Sequence, residues 1–279
     1  MSVSVVICAK NAELTLRLCL ESVGKNKPLE ILLIDDGSRD STVEIARRFT
    51  DKVYSNEGAG LSHARQLGAE RASADHIFYV DSDVVLSENC LQTMLDEMEK
   101  KGYTGIHAQL IGGDNTSYWG WAEDQHFKMR FNKRGEGQSI GTAAGVYERD
   151  AILEYKFDPF FITASEDGDL CYRFKKNGLK VGMSSSAFAF HYHRSTFRSF
   201  VSQRVRYGKG NARFFWKHRV VLTLFGASLM APFGIVVCIK KLSLKMLPYY
   251  WVWSVAGTYG TLSEMASLTF HRLMPNVPK

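Results

Sequence analysis

The sequence predicts an α/β fold, a mainly parallel sheet with helices on both faces, followed by a C-terminal segment of different character. Three observations predict it. Short apolar runs alternate with helix-period patterns through the first half, acidic pairs stand directly after two of those runs, and residues 220–239 form a stretch without a charge. Alternation of this kind implies βαβ units, and strands covered on both faces read as near-continuous apolar runs.

In chain order, Val3–Ala9 predicts the first strand, and residues 14–23 a helix with apolar side chains at Leu14, Leu16, Leu18, Leu20 and Val23. Glu30–Asp35 predicts the second strand. Asp40 or Ser41 caps a helix over residues 42–49, and a short strand over 52–55 follows. Residues 60–72 read as helix, His76–Val80 as strand, and 88–101 as a helix closed by Gly102. Further on, residues 187–190 read as a strand. A catalytic domain over residues 1–215 and a membrane-anchoring segment over 216–270 are the expected division.

At 279 residues, with 45% hydrophobic and 23% charged side chains, the chain buries a full core and is not disordered. The net charge of +6 is unevenly spread. From His191 to Arg219 there are many Lys and Arg and no Asp or Glu. Placed before an apolar stretch, this run suits an anionic membrane surface or a diphosphate rather than nucleic acid. The five cysteines are far apart and odd in number, which predicts reduced thiols. The chain opens on a strand pattern without a basic, cleavable leader, so the catalytic part is expected at the cytoplasmic face of a cell membrane.

Ligands on such sheets bind beyond the carboxyl ends of the strands. Asp35-Asp36-Gly37-Ser38 and Asp81-Ser82-Asp83 both stand at such ends. With 14 aspartates, one Asp-x-Asp triplet is expected by chance about 0.7 times. The chain has a second, Asp167-Gly168-Asp169, but only Asp81-Ser82-Asp83 follows an apolar strand directly. Two carboxylates one residue apart at a strand end suit a hard divalent cation, Mn²⁺ or Mg²⁺, that bridges phosphates. Glu166-Asp167 is the spare acidic pair that reads best as a general base, at the start of a helix.

Five segments in order resemble the family 2 glycosyltransferases, which have the Rossmann-like GT-A fold, over roughly residues 1–215. They are Val5 to Asn11; Ile34 to Thr42; Gly60-Leu61-Ser62-His63-Ala64-Arg65-Gln66-Leu67-Gly68; Tyr79-Val80-Asp81-Ser82-Asp83; and Phe157-Asp158 with Glu166 to Phe174. The resemblance implies an inverting transfer from a nucleotide-sugar (UDP-, GDP- or dTDP-linked). Lys10 and Asn11 would lie in the donor loop, Asp36 would hold the nucleoside, Arg65 would lie near the nucleotide, and Asp81 and Asp83 would carry the metal. Asp167, beside Glu166, would be the base. His193, and less so His191, would complete the metal shell. Gln203-Arg204-Val205-Arg206-Tyr207 resembles the Q-x-x-R-W element of membrane polysaccharide synthases with tyrosine in place of tryptophan. Arg206 would contact the diphosphate, or face lipid headgroups. Trp119 and Trp121 are open between acceptor contact and core, and Glu123 and Asp124 read as a solvated helix face.

Residues 220–239, flanked by Lys217-His218-Arg219 and Lys240-Lys241, read as one membrane span, and residues 246–262 as a second span or an interfacial helix. The favoured acceptor is a hydroxyl of a lipid-linked or membrane-proximal molecule. The alternatives are a polyprenyl phosphate acceptor and an inactive, sugar-binding membrane scaffold.

Overall fold

A computed structural model describes residues 1–113, 116–130, 134–162, 164–240 and 244–273. It divides into two units. The first comprises Met1–Thr116, Glu123–Ile162 and Glu166–His193, and the second Ser117–Ala122, Thr163–Ser165 and Arg194–Lys279.

The first unit begins with β1 (Val3–Ala9), α1 (Leu16–Lys25), β2 (Glu30–Asp35), α2 (Thr42–Ala46), β3 (Val53–Ser55), α3 (Leu61–Arg71) and β4 (His76–Val80). These are the βαβ repeats that the alternation predicts, and β1, β2, β3 and β4 pair in parallel. Next come β5 (Val84–Leu86), α4 (Cys90–Lys101), β6 (Gly105–Gly112), α5 (Tyr118–Arg130, whose residues up to Ala122 are counted with the second unit), β7 (Gly135–Glu136) and β8 (Ala144–Glu148). The unit closes with α6 (Arg149–Tyr155), α7 (Glu166–Lys176) and β9 (Val181–His191). The sheet order is β3-β2-β1-β4-β8-β6-β9-β5, with β7 on β9.

The sheet is mixed rather than mainly parallel. β8 runs antiparallel to both β4 and β6, and β5 and β7 run antiparallel to β9. The βαβ alternation ends at residue 80, and β8 enters between β4 and β6 against their direction, so the rule that governs the first half does not extend to the second. The period-2 alternation of β1 sends Val3, Val5, Ile7 and Ala9 to one face with Leu16, Leu20 and Met94, and Val6 to the other with Ala64, Tyr79 and Phe174. Helices therefore cover both faces, as expected. Each fully buried Val, Ile, Leu or Phe here contributes roughly 1.5–3 kcal/mol. Gly102 closes α4 at φ 61°, its N–H on the Met98 and Glu99 carbonyls, as the sequence predicts.

β9 has a bulge. It pairs with β6 in parallel from Val181 to Met183, then resumes at Phe188 opposite Gln109, so residues 184–187 of β9 stand against Ala108 alone. Glu97 of α4 holds this bulge, its carboxylate accepting Ser184 Oγ at 2.8 Å, Ser185 N at 2.9 Å and Ser186 Oγ at 2.9 Å. Burial opposes the charge on Glu97, but these donors outweigh it and hold the carboxyl at about 2.

The second unit is helical. It holds α8 (Phe197–His218), α9 (Leu222–Phe225), α10 (Met230–Lys240), a 3-10 turn at Leu244–Met246, and α11 (Leu247–Leu273). Thr196 caps α8 by accepting Ser199 N at 3.2 Å. α8 and α11 approach closely enough that a Cβ on Gly208 would meet the Gly257 carbonyl oxygen at 2.0 Å, and one on Gly260 the Val205 carbonyl oxygen at 2.1 Å. Arg213 and Glu264 pair across the same two helices at 2.6 Å.

The expected single span over residues 220–239 is not one helix. A four-residue turn separates α9 from α10, where Gly226 lies and where Ser228 O accepts Ser254 Oγ at 3.0 Å. Among the described residues no helix is long and apolar enough to cross a membrane. α11 is long enough in residues, and one face of it carries Gly257, Gly260, Thr261 and Glu264, which are buried.

Candidate active site

The acidic strand ends gather where the connections follow β1, β2 and β4. Asp36 N donates to Ala9 O at 2.9 Å, which joins the β1 and β2 ends. Asn11, at φ 51°, donates its N–H to Ser38 Oγ at 2.9 Å and accepts Arg39 N at 2.9 Å, so the expected donor loop is fastened to the turn after β2. Asp36 is fixed by the side chain of Asn56 and by Gly60 N at 3.0 Å. Lys10 reaches it at 3.4 Å while remaining half exposed, which leaves an ammonium beside a carboxylate at the open edge.

Arg65 is the hub. α3 carries it to the underside of the β4 end, where it is almost fully buried between two carboxylates. One guanidinium nitrogen pairs with Glu166, and another pairs with Asp81 at 3.0 Å. Glu166 Oε1 takes the contact, and Glu166 Oε2 is buried without a hydrogen-bond partner within the protein. A buried guanidinium suits this bridging task, since its planar fork serves two acids at once. Glu166 is thereby removed from solvent. Asp167, one residue on, is partly exposed. Its Oδ1 accepts Gly168 N at 2.7 Å, and its Oδ2 faces Gly141, where an added Cβ would meet it at 2.8 Å. The second Asp-x-Asp triplet does not form a pair: Asp169 turns into the core and binds Arg173 at 2.8 Å.

The segment after residue 140 forms the site's inner wall. Ala143 O accepts Asp81 N at 3.0 Å, and Ala144 N donates to His107 Nε2 at 3.1 Å. His107 Nδ1 donates to Ala108 O at 2.6 Å, which fixes the neutral tautomer, and burial lowers its pKa to about 4. Burial likewise pushes the Cys8 thiol, at the end of β1, up to about 12.

Asp83 is positioned by strand register. β5 pairs with β9 so that Val84 stands opposite His191, and Tyr192 N donates to Asp83 O at 2.9 Å. His191 Nε2 then lies 3.3 Å from Asp83 Oδ1. Burial disfavours the imidazolium, but the Asp83 carboxylate outweighs it and raises the pKa of His191. His191 thus makes a contact with Asp83, and His193 packs against His191 with ring centroids 4.6 Å apart and against Phe127 at 5.1 Å.

Burial, joined by the neighbouring Asp83 charge, raises the Asp81 carboxyl above the usual carboxylate range, against the pull of Arg65. Two carboxylates crowded in this way at an accessible strand end suit a divalent cation. Among the described residues no three His, Cys, Asp or Glu side chains gather closely enough to hold an ion by themselves.

Other expected residues lie elsewhere. Glu123 and Asp124 are buried, not solvated. Asp124 Oδ1 accepts Gly112 N at 2.7 Å and its Oδ2 pairs with Lys128, because the end of β6 needs an acceptor there. Trp119 stacks on Phe200 at 4.8 Å within the second unit. In Gln203 to Tyr207 the buried guanidinium is Arg204, held by Gln203 Oε1 at 2.6 Å and lying 4.0 Å over the Trp253 ring. Arg206 belongs to the second unit and is exposed. Glu97 and His107, which brace this site, were not legible as site residues: His107 stood out only as a polar side chain between Ile106 and Ala108, and Glu97, among Asp96, Glu99 and Lys100, gave no signal.

Among solved structures, this fold resembles glucosyl-3-phosphoglycerate synthase from Mycobacterium tuberculosis, with a TM-score of 0.58 at 17% identity over 77% of this chain and 78% of that one. It also resembles S. aureus TarS residues 1–349 in complex with UDP-GlcNAc, with a TM-score of 0.56 at 14% identity over 97% of this chain and 92% of that one. The same synthase has been solved with Mn²⁺ and UDP-glucose. These likenesses define the GT-A class of fold. The sequence model of glycosyl transferase family 2 matches residues 4–155, more than half of the chain, and the chain belongs to that family. Relatives include the 4,4'-diaponeurosporenoate glycosyltransferase of Staphylococcus haemolyticus, 34% identical over 38% of this chain and 30% of the relative. The cholesterol galactosyltransferase of Borreliella burgdorferi is 33% identical over 33% of this chain and 28% of the relative. The matched part thus spans under a third of the length of either relative.

Proposed function

We propose that this family 2 glycosyltransferase moves a sugar from a nucleoside-diphosphate sugar to a hydroxyl of a lipid-linked acceptor at the cytoplasmic face of a membrane, with inversion at the anomeric carbon. The observation that carries this reading is the division of labour between adjacent acids. Arg65 sequesters Glu166, while Asp167, one residue on, keeps a partly exposed carboxylate, and both Asp167 and Asp81 act electrostatically on the same buried guanidinium. Asp167 is the general base, taking the acceptor hydroxyl proton as that oxygen attacks the anomeric carbon. The bond from that carbon to the phosphate oxygen breaks, and its electron pair leaves on the diphosphate. No sugar becomes attached to the protein, so a single displacement inverts the centre.

Asp36, held by Asn56 and Gly60, receives the nucleoside, and Lys10 and Asn11 line the donor loop. Asp81 and Asp83 would hold a divalent cation, Mn²⁺ or Mg²⁺, which when bound neutralises charge on the diphosphate. Arg65 keeps Asp81 aimed at that position. The two relatives named for lipid substrates, a carotenoid acid and cholesterol, support a lipid acceptor, and the UDP-sugars bound to solved neighbours make UDP donors the first to test.

The test is donor turnover by the detergent-solubilised protein across UDP-, GDP- and dTDP-sugars, with Mn²⁺, Mg²⁺ or EDTA. Release of one nucleoside diphosphate is expected, abolished by EDTA and by Asp83→Ala. Asp167→Asn is expected to lower kcat by about 10²–10⁴-fold with the donor KM little changed. Full activity of Asp167→Asn would move the acceptor to a phosphate, which needs no base. Failure to turn over any donor, with membrane extract supplying acceptor, would leave a binding scaffold instead.

A further inference from the structure

We infer that α11 lies in the plane of an anionic bilayer as a docking helix, with its outer face in the headgroup and upper acyl region, and that it does not cross the membrane. The inference goes beyond the transfer reaction and rests on the second unit alone.

The outer face of α11 carries Trp251, Val255, Tyr259, Leu262, Phe270 and Leu273, all but Phe270 more than half exposed. Their spacing confines them to an arc of about 100° on the helix, the width of an apolar stripe that elsewhere faces a core. No charged residue falls in that arc. The charged side chains of α11, Glu264 and Arg272, project from other faces, and Glu264 is paired with Arg213. The opposite face is committed: Gly257, Gly260 and Thr261 pack on α8, with Thr261 Oγ1 3.1 Å from Gly208 O. A helix of 27 residues is about 40 Å long, so the stripe is an extended ridge. α10 adds exposed Ile235, Val236 and Ile239.

Charge identifies the occupant. Residues 194–279 carry 13 Lys and Arg against a single acid, Glu264. An anionic lipid surface complements that excess, at roughly 1 kcal/mol per Lys or Arg near the surface. A second copy of the chain would oppose it with the same excess of positive charge. An apolar stripe and a basic excess within the same unit both favour attachment to an anionic surface, and Trp251 and Tyr259 are the side chains that favour the interface. Because its inner face is committed to α8, which carries Arg198, Arg204, Arg206, Lys209, Arg213 and Lys217, only the outer stripe of α11 is open to lipid, and the attachment we infer is interfacial.

The experiment is flotation of the purified full chain with vesicles of phosphatidylcholine alone or mixed with phosphatidylglycerol. Binding to the mixed vesicles is expected, at least about tenfold weaker on phosphatidylcholine alone or in high salt. Val255→Asp with Leu262→Asp is expected to lower binding at least tenfold while melting temperature and donor turnover in detergent stay unchanged. Both positions are exposed, and neither belongs to the catalytic site. Flotation of the double variant at the parent level would overturn the inference. So would resistance of the bound parent to alkaline carbonate, which indicates a span. A parent that ignores vesicles and sediments as a dimer, with a monomeric double variant, would assign the stripe to self-association. Since turnover is read in detergent, failure of docking and failure of the catalytic reading are separately visible.

Discussion

The two units solve opposite problems with opposite chemistry. Residues 1–193 carry 28 Asp and Glu against 22 Lys and Arg, and place the critical acids at strand ends; residues 194–279 carry one acid. In the first unit, function depends on charges held in register by polar contacts from distant parts of the chain. In the second, structure depends on the absence of side chains, with glycines letting α8 and α11 touch, and the outward chemistry is apolar and basic. Substitutions should therefore act through charge in one unit and through volume in the other.

The largest expected effect tests the charge side. Arg65→Leu leaves Asp81 and Glu166 without their shared cation, and Glu166 is buried. Loss of about 3–5 kcal/mol in urea unfolding is expected, with turnover abolished. If the protein keeps its stability, the hub is not the brace the geometry describes.

Acid unfolding sharpens the same point. Glu97 is held at about 2 against its ordinary 4.5, a depressed pKa, so its contribution is present above pH 4.5 and is lost as pH falls toward 2. The size is about 3 kcal/mol to order of magnitude. His107, depressed to about 4 from 6.5, contributes stability that is present above pH 6.5 and is lost as pH falls through 4. Glu97→Gln should remove only the lower of these two windows in a stability-versus-pH series.

On the volume side, Gly208→Ala drives a methyl into the Gly257 carbonyl and is expected to cost about 1–3 kcal/mol, lowering vesicle binding but leaving donor affinity intact. The smallest effect crosses the comparison: Gly141→Ala is a volume change in the charge-governed unit. Its methyl displaces Asp167, with kcat expected to fall about tenfold and the melting temperature to hold. An unchanged kcat would show that Asp167 has room to move.

What the sequence revealed follows the same divide. Asp36, Asp81, Asp83 and Asp167 were legible as candidates because each follows a strand or opens a helix, where local pattern fixes position. The partnership of Arg65 with Glu166 spans 101 residues of sequence and was not legible. Nor was the contact of His191 with Asp83, which the pairing of β5 with β9 sets. Glu123 and Asp124 looked solvated because nothing in their own helix announces the unsatisfied backbone of β6. The uncharged stretch over 220–239 looked continuous because composition does not show that Gly226 lies in a turn before α10.

The serine bulge in β9 has a consequence for how this protein can change. Every residue downstream of Ser184 takes its place by counting from that bulge, and His191 reaches Asp83 only because the count ends where it does. A one-residue slip would turn the whole end of the strand over to its other face. The stretch from Phe188 to His191 therefore behaves as a fixed-length gauge. Its outward letters are free to drift, but a single-codon insertion or deletion there would carry the histidine off its mark while leaving the composition almost untouched.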